Sequence, residues 1–90
     1  RERTMSLEDS LEQFVVDRIG SIMNQGFKAT LQNSPEKEYD IEHVLAGFSP
    51  DVRQEVDQLM EHLFSSEAEK ERLLYLSGLK DGFHIAKRLL

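Results

Sequence analysis

The chain contains no cysteine and no tryptophan, and only two of its 90 residues are proline. Without thiols it cannot form a disulfide, a zinc–thiolate site or a cysteine nucleophile. No apolar run approaches the roughly 20 residues that a membrane-spanning helix needs, and the charged N-terminus does not resemble a signal peptide. We therefore expect a cytoplasmic protein that has no contact with a membrane. The first residue is Arg1, and the sequence leaves open whether the chain is a fragment or starts naturally at Met5.

The residues that are present have the balance of a small globular domain. Hydrophobic residues make up 39% of the chain and charged residues 31%, and the net charge is −6 from 11 basic and 17 acidic residues. Ninety residues correspond to a single domain, 1–90. An acidic domain lacks the broad basic field that attracts phosphate backbones, so the composition disfavours nucleic acid as a partner.

A first helix is predicted over residues 6–25, after a tail (1–5) that we expect to be disordered. Ser6 is the expected N-cap, and Gly26 the expected stop, with an alternative end near Gln32. Apolar residues recur at helical spacing through the segment. They are Leu7, Leu11, Phe14, Val15, Ile19, Ile22, Met23 and Phe27.

Two serine–proline pairs, at 34–35 and 49–50, predict the starts of two further helices. Serine as the N-cap and proline at the first helical position is a favoured combination. The resulting helices span residues 35–46 and 50–64. Only the second of them has a regular one-sided apolar stripe, and no segment of the chain has the pattern of a strand.

A fourth helix is predicted over residues 67–90, opened by a capping box from Ser66 to Glu69. Its apolar residues occupy an arc of roughly 200°, and the polar residues keep to the opposite face along the whole segment. This division favours one continuous helix. The alternative is that Gly78 ends one helix and Asp81 caps another.

Small residues form a ridge on this last helix at i, i+4 and i+8. Each glycine in a helix interior costs roughly 1 kcal/mol relative to alanine, so two on one stripe indicate that another helix backbone passes very close. On this interpretation Gly82→Leu overpacks the crossing and costs roughly 1–3 kcal/mol. The residues predicted at the crossing are Gly78, Gly82, Ala86, Leu74, Leu79, Phe83 and Ile85.

These elements predict an all-α bundle of three to four helices with a C-terminal antiparallel helical hairpin. The third helix covers one side of the wide apolar arc of the fourth, and either the first helix or a second copy of the chain covers the other. We favour completion by dimerisation, although four helices of one chain would satisfy the geometry equally well. The predicted core contains Leu11, Phe14, Val15, Ile22, Val56, Leu59, Leu63, Leu74, Leu79, Phe83 and Ile85.

Two Asp-x-x-His pairs, Asp40 with His43 and Asp81 with His84, are the best candidates for chemistry. Di-iron bundles use a related Glu-x-x-His pair but add further inward-facing glutamates, which this sequence does not supply. His62 has no nucleophile or orienting partner at a definable spacing. We therefore predict no catalytic residue, no metal ligand and no cofactor-binding residue.

A small basic face on the last helix supports the alternative of a DNA-associated transcriptional regulator. It consists of Lys80, His84, Lys87 and Arg88, and no aromatic residues are interleaved with them. An ordinary solvated helix face explains the same pattern.

The segment from Tyr75 to Phe83, Tyr-Leu-Ser-Gly-Leu-Lys-Asp-Gly-Phe, follows an acidic amphipathic helix. In this it resembles small uncharacterised all-helical proteins of Gram-positive bacteria and their phages. The resemblance covers roughly the last 40 residues and implies no activity. From the residues themselves we predict a non-enzymatic protein–protein interaction or oligomerisation module with a possible regulatory role, acting as a homodimer or on another protein.

Overall fold

The computed structural model describes residues 7–33 and 39–89. This part of the chain forms helices and no strand, which confirms the predicted all-α small bundle. The predicted tail at 1–5 and the serine–proline pair at 34–35 lie outside the described residues. The helices are α1 (Leu7–Asn33), α2 (Ile41–Ala46), α3 (Pro50–Leu63) and α4 (Glu69–Leu89).

Helix α1 continues to Asn33, so the predicted stop at Gly26 is wrong and the alternative end near Gln32 is correct. Gly26 is buried in the middle of the helix because other parts of the chain lie directly against it. A Cβ atom added there would lie 2.6 Å from Cζ of Phe48 and 3.0 Å from Cγ1 of Val44. The glycine serves close packing and does not terminate the helix.

Helix α2 is shorter than predicted because it begins at Ile41. The preceding Asp40 has an extended backbone and accepts a hydrogen bond from the backbone N–H of His43 at 2.9 Å. Tyr39 and Asp40 are therefore outside the helix, and the predicted span of 35–46 is wrong at these two positions. The Asp-x-x-His spacing at this point marks an N-cap.

Helix α3 begins as the sequence predicts. The Ser49 hydroxyl accepts a hydrogen bond from the backbone N–H of Val52 at 3.3 Å, and Pro50 occupies the first turn. The last helical residue is Leu63, one residue before the predicted end.

Helix α4 begins at Glu69, two residues later than predicted. The carbonyl of Ala68 accepts the backbone N–H of Arg72 at 3.0 Å, and Ser66 lies in the preceding turn. The proposed capping box is therefore wrong, since Ser66 lies too far from the first helical turn to cap it. The helix runs without a break through Gly78, as the continuous polar face predicts.

Helix α1 is the centre of the bundle, and α4 packs along it in the same direction. Near the start of the contact between the two helices, Tyr75 of α4 lies close enough to Asp17 of α1 to feel its charge. Burial raises the pKa of Tyr75, and the negative charge of Asp17 raises it further. Ten residues further along α1, the ring of Phe27 packs against that of Phe83, with 5.5 Å between the ring centroids.

Helix α3 packs on α1 in the opposite direction. Phe48, just before α3, lies against Gly26, and Glu55 one turn into α3 pairs with Arg18 at 2.7 Å. Helices α3 and α4 thus run in opposite directions, but each packs chiefly on α1 rather than on the other. Leu45 of α2 lines the cleft between them.

The core is built around one side of α1, and among the described residues α2 adds three buried side chains, α3 two and α4 one. Among the predicted core residues, Val15, Ile22 and Val56 are buried, while Leu59, Leu63, Leu79 and Phe83 are partly buried against the core. The prediction is wrong for four residues, because the bundle covers only one face of each helix. The exposed four are Leu11, Phe14, Leu74 and Ile85.

Candidate interaction surface

The side of α4 that faces away from the bundle carries large apolar side chains in contact with solvent. Leu74 is 66% exposed, Ile85 56% and Leu89 81%. The residues between them on the same side are small. At about 100° per residue, the set occupies an arc of roughly 80°. We call it the outer α4 surface, and it consists of Leu74, Gly78, Gly82, Ile85 and Leu89. Ala86, also predicted at the crossing, lies at the edge of this surface, where it lines a groove with Lys28 of α1.

Two residues predicted at the helix crossing belong to the opposite side of α4. Phe83 packs against Phe27, and Leu79 is partly buried against the core. Between them and the start of the helix, Leu76 is only 4% exposed. The predicted set therefore mixes residues that hold α4 to α1 with residues that the chain leaves uncovered.

Among the described residues, nothing packs closely against the two glycines of this surface. A Cβ atom added at Gly78 or at Gly82 meets no heavy atom within 4 Å in the described part of the protein. No other helix of the described chain makes the predicted close crossing at these positions, so a crossing with a second copy of the chain stays a prediction. No packing within residues 7–33 and 39–89 offsets their cost in helix stability, which is roughly 1 kcal/mol each.

Charges of opposite sign mark the two ends of α4. Glu69 and Glu71 lie in its first turn, and Lys87 and Arg88 lie in its last. This is the arrangement that the helix dipole favours. It also gives the surface a direction, because its N-terminal end is acidic and its C-terminal end is basic.

The predicted basic face of α4 is partly occupied by Tyr39. Lys80 Nζ donates a hydrogen bond to the carbonyl of Tyr39 at 2.7 Å and lies 5.4 Å from the centre of its ring. The Tyr39 hydroxyl lies 3.2 Å from Nε2 of His84, and burial raises the pKa of the phenol. Only Lys87 and Arg88 are left as exposed members of the face, which weakens the case for phosphate contact.

Tyr39 is the residue in this region that sequence reasoning missed. Its partners Lys80 and His84 lie one turn apart on α4, more than 40 residues later in the chain. A lysine and a histidine at i, i+4 indicate a shared helix face. Nothing in the local pattern identifies which distant side chain they meet.

The described histidines and carboxylates do not assemble into a metal site. No group of three or more such side chains suitable for a metal ion occurs within residues 7–33 and 39–89. The backbone N–H of His43 donates to the N-cap residue Asp40, and the imidazole of His84 faces Tyr39.

A groove between α1, α2 and the start of α3 has a volume of about 390 Å³. Apolar residues such as Ile22 and Val52 line much of it. At one end Arg18 and Glu55 satisfy each other through two hydrogen bonds, of 2.7 and 3.2 Å. The described residues that line the groove therefore offer apolar contact and no free charged group.

The search for relatives gives no further guide to function: no family model, no curated protein and no solved structure matches the chain. The resemblance to small helical proteins of Gram-positive bacteria and phages stays a prediction. None of the described helices has the length and apolar content needed to cross a membrane.

Proposed function

We propose that this protein is a non-enzymatic interaction module that forms a homodimer through the outer α4 surface. The observation that carries the proposal is a continuous apolar stripe on one helix, in which three large side chains are more than half exposed. Isolated exposed leucines are common on protein surfaces, whereas apolar residues grouped on one side of a helix indicate a binding site.

A second copy of the chain is the occupant that fits this surface best. In a two-fold dimer the same residues of both copies meet, so one contact covers Leu74, Ile85 and Leu89 of each copy. Gly78 and Gly82 lie between these side chains and add no side-chain bulk. They allow two α4 backbones to approach closely at the centre of the contact.

The charges at the ends of α4 favour an antiparallel pair. In that arrangement the acidic first turn, with Glu71, lies beside the basic last turn of the second copy, with Arg88. A parallel pair places Glu71 beside the same residue of the second copy, and like charges in contact are unfavourable. We therefore propose antiparallel packing of α4 on α4, in a protein that acts in the cytoplasm and whose regulatory role depends on this contact.

The test is the solution mass of the wild type and of two charge variants, measured by sedimentation equilibrium over a range of concentrations. We expect the wild type to approach twice 10.4 kDa as concentration rises. Ile85→Glu is expected to be monomeric, because each copy would have to bury a new carboxylate in the apolar contact without an opposite charge to pair with it.

Phe14→Glu is the matched control. Phe14 is 62% exposed, close to the 56% of Ile85, but lies on α1. It should dimerise like the wild type. A wild type that is monomeric at every concentration refutes the homodimer and leaves the surface to a different protein. A dimer that Phe14→Glu abolishes and Ile85→Glu preserves would place the interface on α1.

A further inference from the structure

A second concave feature lies between α2, α3 and α4, away from the outer α4 surface. It is a cleft of about 260 Å³, smaller than the pockets of about 300–1,000 Å³ that bind drug-sized molecules. Apolar residues from all three helices form one part of its lining, and polar and charged residues form the larger part. The apolar lining residues are Leu45, Val56, Met60, Leu73 and Leu76.

Arg72 lines this cleft with an incompletely paired guanidinium group. Its Nε and Nη2 atoms are buried and have no hydrogen-bond acceptor among the described residues. Leaving buried donors unpaired is costly, and more so when the group is charged. These two nitrogens form one edge of the guanidinium plane, and such an edge binds a carboxylate through two parallel hydrogen bonds.

The carboxylates around the cleft do not supply this acceptor. Asp57 lies 3.7 Å from Arg53, its neighbour one turn earlier on α3. Glu42 and Glu69 line the cleft and are exposed. Their charges repel an anion that carries several negative charges and attract a cationic group. A ligand with one carboxylate, one ammonium group and a small apolar body therefore fits the charges and the walls together.

We propose that the cleft binds a free α-amino acid with an apolar side chain of about the size of leucine. Its carboxylate pairs with the Nε–Nη2 edge of Arg72, its ammonium group lies toward Glu69, and its side chain packs against Leu45 and Leu76. Because the two nitrogens are covered in the unliganded protein, binding requires side chains that line the cleft to shift and uncover them. This proposal is independent of the dimer.

The test uses L-leucine and two analogues that each lack one of its charged groups. The first analogue, 4-methylpentanoate, lacks the ammonium group, and the second, 3-methylbutylamine, lacks the carboxylate. Methyl chemical shifts of Leu73 and Leu76 report binding at millimolar ligand. We expect L-leucine to bind more tightly than 4-methylpentanoate, and the amine not to bind. Amine binding as tight as that of L-leucine, or no shift with any probe, overturns the proposal.

Two variants assign the effect to Arg72. Arg72→Met should abolish the shifts, while Arg53→Met, which removes the other guanidinium of the cleft, should retain them. Arg72→Met should also raise the melting temperature of the unliganded protein, since it removes the unpaired donors. A lower melting temperature for Arg72→Met would show that Arg72 has its acceptor within the native chain. Retained binding by Arg72→Met would show that the ligand does not contact Arg72. Either result overturns the proposal.

Discussion

The two sides of α4 are similar in sequence and opposite in environment. Leu76 and Leu74 are two positions apart on the same helix, yet Leu76 is 4% exposed and Leu74 is 66% exposed. The inner side rests on α1 through Phe83 and Leu79, whereas nothing in the described chain covers the outer side. Apolar periodicity therefore identifies the helix, but it does not identify which apolar residues this chain buries.

The same contrast holds for the glycines. Gly26 on α1 is buried against Phe48 and Val44, while Gly78 and Gly82 on α4 have open space where a side chain would be. All three lie inside continuous helices. The role of a glycine in a helix can thus be assigned only when its spatial neighbours are known. Gly26 permits close packing within the chain, whereas Gly78 and Gly82 lie on an open surface.

Substituting the two leucines tests the comparison most strongly. Leu76→Ala should lower the free energy of unfolding by about 2–5 kcal/mol, because it leaves a cavity in the core. Leu74→Ala should change it by no more than about 0.5 kcal/mol in the monomer, as expected for an exposed site. Urea denaturation in an Ile85→Glu background keeps dimerisation out of the measurement. Equal losses for the two variants would mean that the outer side of α4 is covered in the native monomer.

The sequence predicts the helices well because their signals are local. The cap at Ser49, the proline after it and the continuous polar face of α4 all lie within a few residues of the structure they determine. Exposure of Leu74 and Ile85 is not local, since it depends on how many helices pack around α4 and on which side. The stop predicted at Gly26 failed for a related reason: the residue that explains it, Phe48, lies 22 positions away in the sequence.

Alanine at Gly26 should destabilise the protein. The added methyl group meets the Phe48 ring at 2.6–2.7 Å and Val44 at 3.0 Å, and such overpacking costs about 1–3 kcal/mol. The better helix propensity of alanine offsets about 1 kcal/mol of that cost, so we expect a net loss of roughly 1 kcal/mol in urea denaturation. A stabilised Gly26→Ala variant would mean that Phe48 moves aside freely.

Alanine at Gly78 should have the opposite sign in the monomer. No atom lies within 4 Å of the added Cβ, so the gain in helix propensity is unopposed, and the free energy of unfolding should rise by about 0.5–1 kcal/mol. The measurement again uses the monomeric Ile85→Glu background. A Gly78→Ala variant less stable than its parent would contradict the open environment of this side.

Gly82→Leu tests the same side in the protein that keeps Ile85. It should weaken self-association, which sedimentation equilibrium detects.

The smallest expected effect concerns the exposed ion pair that joins α1 to α3. The hydrogen bond from Arg18 lowers the pKa of Glu55 below its ordinary value. A carboxyl group with a lowered pKa in the folded state stabilises the protein above its unfolded-state pKa, and that stabilisation is lost as the pH falls through the folded-state pKa. Glu55→Gln should therefore reduce stability slightly at neutral pH and not in strong acid. High salt should shrink the difference, because both side chains are exposed. In an Arg18→Met background the pH-dependent difference should vanish. If it persists there, a group other than Arg18 perturbs the pKa of Glu55, and the ion pair with Arg18 is not the source of the pH-dependent stability.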